Sequence, residues 1–391
     1  MDMLSGGFRL QGVSQSESVS QSKKMLARSA CAAAVLAASA VSLPAAAKQF
    51  ESEGGQTFSI GAGFRSQFQS VEGDSEFTLP DIRVYTSGQL NDTVKFTFNL
   101  QQRDGDTADV LDAIAQFEFS PQFNIWAGRM LTPADRIEMS GPFYGLSWNQ
   151  YRQPLYASDQ GGEAGLIGRD EGITFWGTAG KFQYAAGSFI GLDEYSNQDE
   201  NPLYAARFAY NFLNMEANPG YYTSSTYYGG LGNIFTLAFS LQSQEDGVGS
   251  AESAGDFSGW TVDMLSETVL DAGGVITVEA EYKSFDADYT LASQPAVGDC
   301  FCLFDGESAF ATAAYLFPSN VGPGKFQPYA RLVENSPSDA ASSSSTELGL
   351  NYVVNGHNTR LNLSFVSGDA NASGYAGADV DVLSLGMQVQ L

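Results

Sequence analysis

One histidine, three cysteines and 19 lysines plus arginines are all that 391 residues supply. His357 lies in the turn Asn355-Gly-His-Asn358, with nothing beside it marked as a nucleophile. Hydrolysis by an activated nucleophile needs a base at its side, so enzymatic activity is not expected. No Cys-x-x-Cys-His occurs, which excludes c-type haem attached to this chain. Cys300 and Cys302 are one residue apart. A bridge across one residue is strained, and a zinc site needs more ligands than two thiols and one remote His. No cofactor or metal is therefore expected. A formal charge of −26 repels phosphate backbones and excludes nucleic acid as a partner. No stretch beyond residue 47 holds 18 consecutive apolar residues, so no membrane helix is expected there.

What is present starts with a leader-like segment. Lys23, Lys24 and Arg28 precede an apolar, Ala-rich run over 29–43, and Ala45-Ala46-Ala47 fits a small-residue cleavage site. The expected organisation is a signal peptide with an N-terminal extension over 1–47, Met25 being an alternative start, and one domain over 48–391. That domain alternates. Val94, Phe96, Phe98 and Leu100 share one face, and Lys95, Thr97, Asn99 and Gln101 the other. Leu383, Leu385, Met387, Val389 and Leu391 do the same at the far end. Period-two segregation of apolar and polar side chains marks strands with one oily and one wet face. Sixteen such segments are expected, near 56–69, 77–90, 93–103, 109–119, 122–130, 169–178, 181–190, 203–213, 229–242, 257–269, 274–286, 306–317, 324–334, 346–354, 358–367 and 380–391. The two faces are least distinct in 122–130 and 306–317. Pro80 and Pro328 suggest bulges or boundaries.

Short connections, such as Asn91-Asp92 and Ala179-Gly180, alternate with long ones at 70–76, 104–108, 131–168, 191–202, 243–256, 287–305, 335–345 and 368–379. Short turns at one end and long loops at the other are the pattern of an outer-membrane barrel. Since every backbone polar group in lipid must be paired, closed barrels are the one alternative to helices. The expected fold is all-β: a transmembrane antiparallel β-barrel of 16 strands. Residues 214–228 break the pattern, being long for a short-turn connection. Apart from 131–168, the long loops are rich in Asp and Glu and hold no Lys or Arg. Such a rim is either solvated or a holder of divalent cations beside anionic lipid.

Arg65, Arg83, Lys95, Arg103, Arg207, Lys283, Arg331 and Arg360 fall on the polar parity of their strands. A charge facing mid-bilayer lipid costs about 2–4 kcal/mol, so these side chains are expected in the lumen, with Glu118, Glu279, Glu281 and Glu347. Two readings stay open: ion pairs that rigidify a wet barrel, or rows of charge that sort solutes. The loop 131–168 is the candidate constriction. Its Phe143, Tyr144, Trp148 and Tyr151 would be costly in open water, and folding it inward would place Asp135, Arg136, Glu138 and Arg152 across the channel.

The stretch Phe77–Gly191 resembles the phosphate-selective porin (O and P) family. The matching residues are Arg83-Val-Tyr-Thr-Ser-Gly-Gln-Leu90, Val94-Lys-Phe-Thr-Phe-Asn99, Asp112-Ala-Ile-Ala-Gln-Phe-Glu-Phe119 and Ala127-Gly-Arg-Met-Leu-Thr-Pro133. Weaker likeness runs through Gly220–Gly229, Phe326–Arg331 and the final strand. The resemblance implies a 16-stranded barrel, commonly a homotrimer, that passes small ions passively past an inward-folded third external loop. Its phosphate preference rests on an arginine ladder and a lysine cluster; this domain has only Lys48, Lys95, Lys181, Lys283 and Lys325, unclustered. Arg129, in the Gly-Arg-x-x-Thr-Pro element, joins Arg83, Lys95, Asp135, Arg136, Glu138, Arg152, Arg207, Lys283, Arg331 and Arg360 as expected pore-lining or constriction residues. The expected function is a porin of the bacterial outer membrane for small hydrophilic solutes or ions, phosphate and other anions included. Its expected surroundings are membrane lipid and lipopolysaccharide. The alternative is a sheath around an electron-transfer partner.

Overall fold

Period-two alternation becomes a closed cylinder in the computed structural model, which describes residues 47–103, 105–156, 168–192, 196–287 and 303–391. Residues 1–46 of the expected leader, and Cys300 and Cys302, lie outside the described residues. The strands are β1 (Lys48–Glu51), β2 (Thr57–Val71), β3 (Asp74–Gln89), β4 (Val94–Gln102), β5 (Asp109–Ser120), β6 (Phe123–Leu131), β7 (Arg169–Ala179), β8 (Phe182–Phe189) and β9 (Leu203–Asn211). They continue as β10 (Ile234–Ser250), β11 (Ser253–Val269), β12 (Val275–Ala287), β13 (Gly306–Leu316), β14 (Lys325–Pro337), β15 (Ser343–Asn355), β16 (Thr359–Gly368) and β17 (Val380–Gln390). From β2 onward each pairs antiparallel with the next, and β17 returns to β2 from Val382↔Val71 to Gln390↔Gly63. The short β1 pairs with β2 from Lys48↔Ile60 to Glu51↔Thr57, where β17 has run out. The barrel therefore has 16 strands, and the closure leaves no open edge.

All sixteen expected segments are strands, the two indistinct ones included. Several ends on the long-loop side reach further than the hydrophobic pattern, whereas β10 begins at Ile234 and not at 229. The expected loop 70–76 is a two-residue turn, Glu72-Gly73, with φ of 48° and 100°, the left-handed pair that a tight hairpin requires. The expected loop 243–256 is also hairpin, with β10 running to Ser250 and β11 resuming at Ser253. Strands continue past the oily band as polar sheet, where alternation of hydropathy no longer reports pairing. Pro80 falls beside a register shift between β2 and β3. Pro328 sits in regular register opposite Leu350, near the start of β14.

Outward positions carry Phe64, Phe98, Leu237, Phe239, Val262, Leu332, Leu363 and Phe365, all exposed. Inward positions carry Arg, Gln, Asn, Ser and Thr, and on β10–β17 nearly all are buried. A polar inner wall this dry needs something folded against it. That filling comes from the third long loop, with helix α1 (Arg136–Tyr144), and from residues 212–233 between β9 and β10.

Leu348 is outward, near the middle of β15, and 58% exposed. Leu348→Arg is expected to lower stability by about 2–4 kcal/mol in titrations of protein refolded into lipid vesicles. Stability equal to the wild type would contradict a lipid-facing band.

Candidate functional site: a lumen filled from both ends

Backbone leaving a strand carries unpaired N–H and C=O groups, and burying them requires partners. The third long loop finds acceptors' partners on the wall. Gln242 Nε2 donates to the Pro133 carbonyl at 3.1 Å and Arg207 to Ala134 at 3.0 Å. Lys283 donates to Pro154 at 2.8 Å, Arg360 to Gly145 at 2.6 Å and Asn351 to Leu146 at 3.0 Å. Gln388 donates to Phe143 at 2.9 Å and Arg65 to Trp148 at 2.5 Å. Asn335 of β14 donates to the Arg152 carbonyl at 3.2 Å, so among the described residues eight strands each hold at least one carbonyl of the loop. The loop also stabilises itself. Asp135 caps α1 by accepting from Glu138 N at 3.0 Å, and Glu138 accepts from Tyr156 N at 3.0 Å.

Two aromatic rings seat the crossing. Trp148 lies against Gly386, where an added Cβ would come within 2.3 Å of the indole. Its indole N–H donates to Gln67 at 2.7 Å. The Arg65 and Arg360 guanidinium groups stand 4.1 and 5.7 Å from its ring, within cation–π range. Phe143 reaches the β2–β3 wall beside Gly63 and edge-on to Tyr85. Gly141, at φ 62°, breaks α1 before Pro142 and lets the chain turn there.

The second filling segment rises from the opposite end. Glu216 takes both terminal nitrogens of Arg136 at 2.8 Å, the bidentate geometry guanidinium favours. Arg136 Nε reaches Asp263 at 3.2 Å, and Asp263 also accepts from Arg207 at 2.9 Å. Thr223 N donates to the Met139 carbonyl and Ser225 N to that of Tyr144. Glu267 accepts from Thr226 Oγ1, Tyr227 N and Gly229 N. His357 contacts the Thr226 carbonyl at 2.8 Å, between the rings of Tyr144 and Tyr228. Lys283 is the other hub, 2.5 Å from Asp135, 3.3 Å from Glu281 and 3.6 Å from Glu138.

Two cavities border α1. The one toward the long loops, about 320 Å³, is lined by Arg65, Arg103 and Arg152 with Asp81, beside Pro142 and Trp148. The one toward the short turns, also about 320 Å³, is lined by Arg83, Arg169 and Asp112, beside Gly141 and Tyr144. Arg65 Nη1 is 3.0 Å from Asp81, and Arg83 Nη2 is 4.0 Å from it. This Arg–Asp–Arg row joins the two linings, and Arg83 lies 5.0 Å from the Phe143 ring.

The expected site residues divide by place. Arg83 and Arg152 line the cavities. Lys95 is partly exposed on the inner wall, paired with Glu118 at 2.5 Å. Asp135, Arg136, Glu138, Arg207, Lys283, Arg331 and Arg360 are buried between loop and wall. Arg129 departs from expectation. It pairs across the sheet with Ala113 and Glu171, on the parity of Phe117, Ile173 and Phe175, which are exposed. It is therefore on the outer surface, ion-paired with Glu171 at 2.9 Å, two residues from the long-loop end of β6. Sequence reasoning missed Asp81, Glu216, Asp263 and Glu267; the signal for Glu216 was the unusual length of 214–228. Among the described residues no group of three or more His, Cys, Asp or Glu could hold a metal ion.

Solved structures share this barrel. OmpT of Vibrio cholerae, expressed in the outer membrane, aligns with a TM-score of 0.55 at 11% identity, over 88% of this chain and 100% of its own. An anion-selective porin from Comamonas acidovorans gives 0.55 at 16% identity, over 86% and 100%. OmpF of Salmonella typhi, in complex with daunomycin, gives 0.55 at 11%, over 88% and 100%. Identities this low establish the fold alone. No family model matches the sequence, and no curated protein does.

Arg136→Met would leave Glu216 buried without its guanidinium. Removing one member of a buried pair costs about 3–5 kcal/mol, to be read as a lower denaturant midpoint in vesicles; an unchanged midpoint would mean the two filling segments are not joined through this group. Acid should also loosen the second segment. Burial, and then Arg360, push His357 down to about 3 from 6.5. The unfolded chain then binds the extra proton between those values, so this contribution is full above about pH 6.5 and is lost as pH falls toward 3. His357→Gln should flatten the fall in melting temperature between pH 6.5 and 4; an identical pH profile would refute the assignment.

Proposed function

We propose that the chain is a passive outer-membrane porin, not an enzyme, whose lumen prefers anions. The observation that carries this reading is the charge of the two cavities. Five arginines, Arg65, Arg83, Arg103, Arg152 and Arg169, face two aspartates, Asp81 and Asp112. The chain as a whole is strongly acidic, yet the lining of the space is basic. In a narrow low-dielectric passage the nearest charges dominate, because field lines are focused there and distant ones are screened.

The acids that balance the formal count sit elsewhere. Asp263, Glu279, Glu281 and Glu347 are buried on β11, β12 and β15, behind the filling segments. The solute path proposed here follows the β2–β6 side, past Arg65, Asp81 and Arg83 and opposite Phe143. Phosphate is one anion among those it would pass. Lys283 is committed to Asp135, Glu281 and Glu138 and Lys95 to Glu118, so the recognition chemistry on offer is guanidinium. A sheath around a redox partner needs an open bore, and the filling of the lumen weighs against it. Bacterial outer-membrane lipid and lipopolysaccharide would surround the oily band. A homotrimer, the form in which one OmpT of Vibrio cholerae is described, is proposed as the assembly. The leader over 1–47 is proposed to direct export.

Planar-bilayer recording across a potassium chloride gradient tests the proposal. A reversal potential of anion sign is expected, and Arg65→Glu with Arg83→Glu should move it toward cation preference. Cation selectivity in the wild type would overturn the sign, and absence of any conductance would overturn the porin.

A further inference from the structure

The two cavities have similar size and different chemistry. The long-loop cavity is dominated by arginines and amide side chains. The short-turn cavity adds an apolar wall of Leu111, Ile114, Trp126, Leu131 and Met139. Apolar lining is of no use to a hydrated inorganic ion, which gains nothing from a surface unable to replace its water.

Resting on the porin reading, we propose that the short-turn cavity is a binding subsite for a small organic anion with a planar apolar body, a monocarboxylate of benzoate size. A volume of about 320 Å³ falls at the lower end of small-molecule sites, where a mostly apolar wall with a few polar groups is the common design. The carboxylate end is served by Arg83. Arg83 Nη2, 4.0 Å from Asp81, makes no hydrogen bond; it lines this cavity with Tyr85, set beside its guanidinium, and Tyr222, set beside the Leu131 carbonyl. A guanidinium nitrogen without a close acceptor is costly to bury, and a solute carboxylate supplies one at the Arg83 end. Arg169 is held by Asp112 at 3.0 Å and adds no net charge beyond that pair.

The ring end is served by Trp126, which is fixed before any solute arrives. Trp176 and Tyr222 meet it edge-on at 5.3 and 5.7 Å, and Tyr221 tilts against it at 5.3 Å. Gly220, at φ 58°, comes so close that an added Cβ would lie 2.2 Å from the indole. Tyr221 and Tyr222 belong to the second filling segment. That segment therefore completes the aromatic wall, which β6 and β7 alone leave unfinished. A preorganised aromatic face opposite a guanidinium suits a flat organic anion and favours it over acetate or phosphate.

The test is chloride current through the full chain in a planar bilayer, with benzoate, acetate or inorganic phosphate added in turn. Benzoate should block the current saturably, and acetate and phosphate at equal concentration should not. Trp126→Leu should raise the half-blocking benzoate concentration about ten-fold. Tyr222→Phe, which keeps the ring and removes the hydroxyl, should raise it about three-fold. A chloride current that benzoate does not block, or blocks no better than phosphate, would overturn the subsite while leaving the porin intact. A half-blocking concentration unmoved in both variants would overturn it as well. No current under any condition would remove the porin reading itself.

Discussion

The arrangement depends on one kind of interaction: a side-chain donor on the barrel wall captures a carbonyl of the loop that folds inside. A loop can enter a barrel only if its backbone stays paired. Here the partners come from β2, β9, β10, β12, β14, β15, β16 and β17, through Arg65, Arg207, Gln242, Lys283, Asn335, Asn351, Arg360 and Gln388. Most of these donors are long, since the loop stands off much of the wall, and all must tolerate burial once paired; asparagine serves where the loop comes closer, at Leu146 and Arg152. Arginine, glutamine and lysine meet both needs. Much of the inner wall's basic character is thus explained by structure before any solute is considered.

This separates two populations of charge that look alike along the chain. Arg207 and Lys283 are held by carbonyls and carboxylates in a dry contact, and Arg360 by the Gly145 and Leu146 carbonyls. Arg65 and Arg83 also make contacts, but they border space. The difference comes from the side of the barrel that the loop leans against. Filling is dense along β10–β17, and the inner wall of β3–β5 keeps Ser87, Lys95, Thr97 and Asn99 partly or fully exposed. Rigidifying ion pairs therefore crowd one wall, and the charged path proposed above follows the other.

The barrel was legible because strands have a period of two and one face must be oily. The ends of strands were less so: at 72–73 and 243–256 the chain keeps pairing after the lipid-facing demand for alternation has ceased. The inward loop announced itself through Phe143 and Trp148, which needed burial. Its partners were not legible, since Gln388 and Arg360 meet it only after the cylinder closes. Arg129 was misread for a local reason. Its flanking inward residues, Trp126 and Met130, are as apolar as outward Ile125, because they pack against filling rather than water. Parity then has no contrast to reveal which face is wet, and near the rim a charge can face outward beside Glu171.

The second filling segment changes what the first can be. A loop held only by the wall could detach from one end and leave the barrel whole. Arg136 prevents a simple hinge of that kind, because its guanidinium joins Glu216 of one insert to Asp263 of the wall while its own helix belongs to the other. The two inserts also share backbone bonds, Thr223 N to Met139 and Ser225 N to Tyr144. Displacing either would expose carboxylates and amides that now have partners only inside the contact. The remaining space in the barrel is then bounded by one composite body built from both ends, and its width is set by packing. Gly63 and Gly386 are the counterpart of that rigidity on the wall. By lacking side chains they let Phe143 and Trp148 come flush with the strands, and a wall with a Cβ at either position would have to move the loop toward the remaining space.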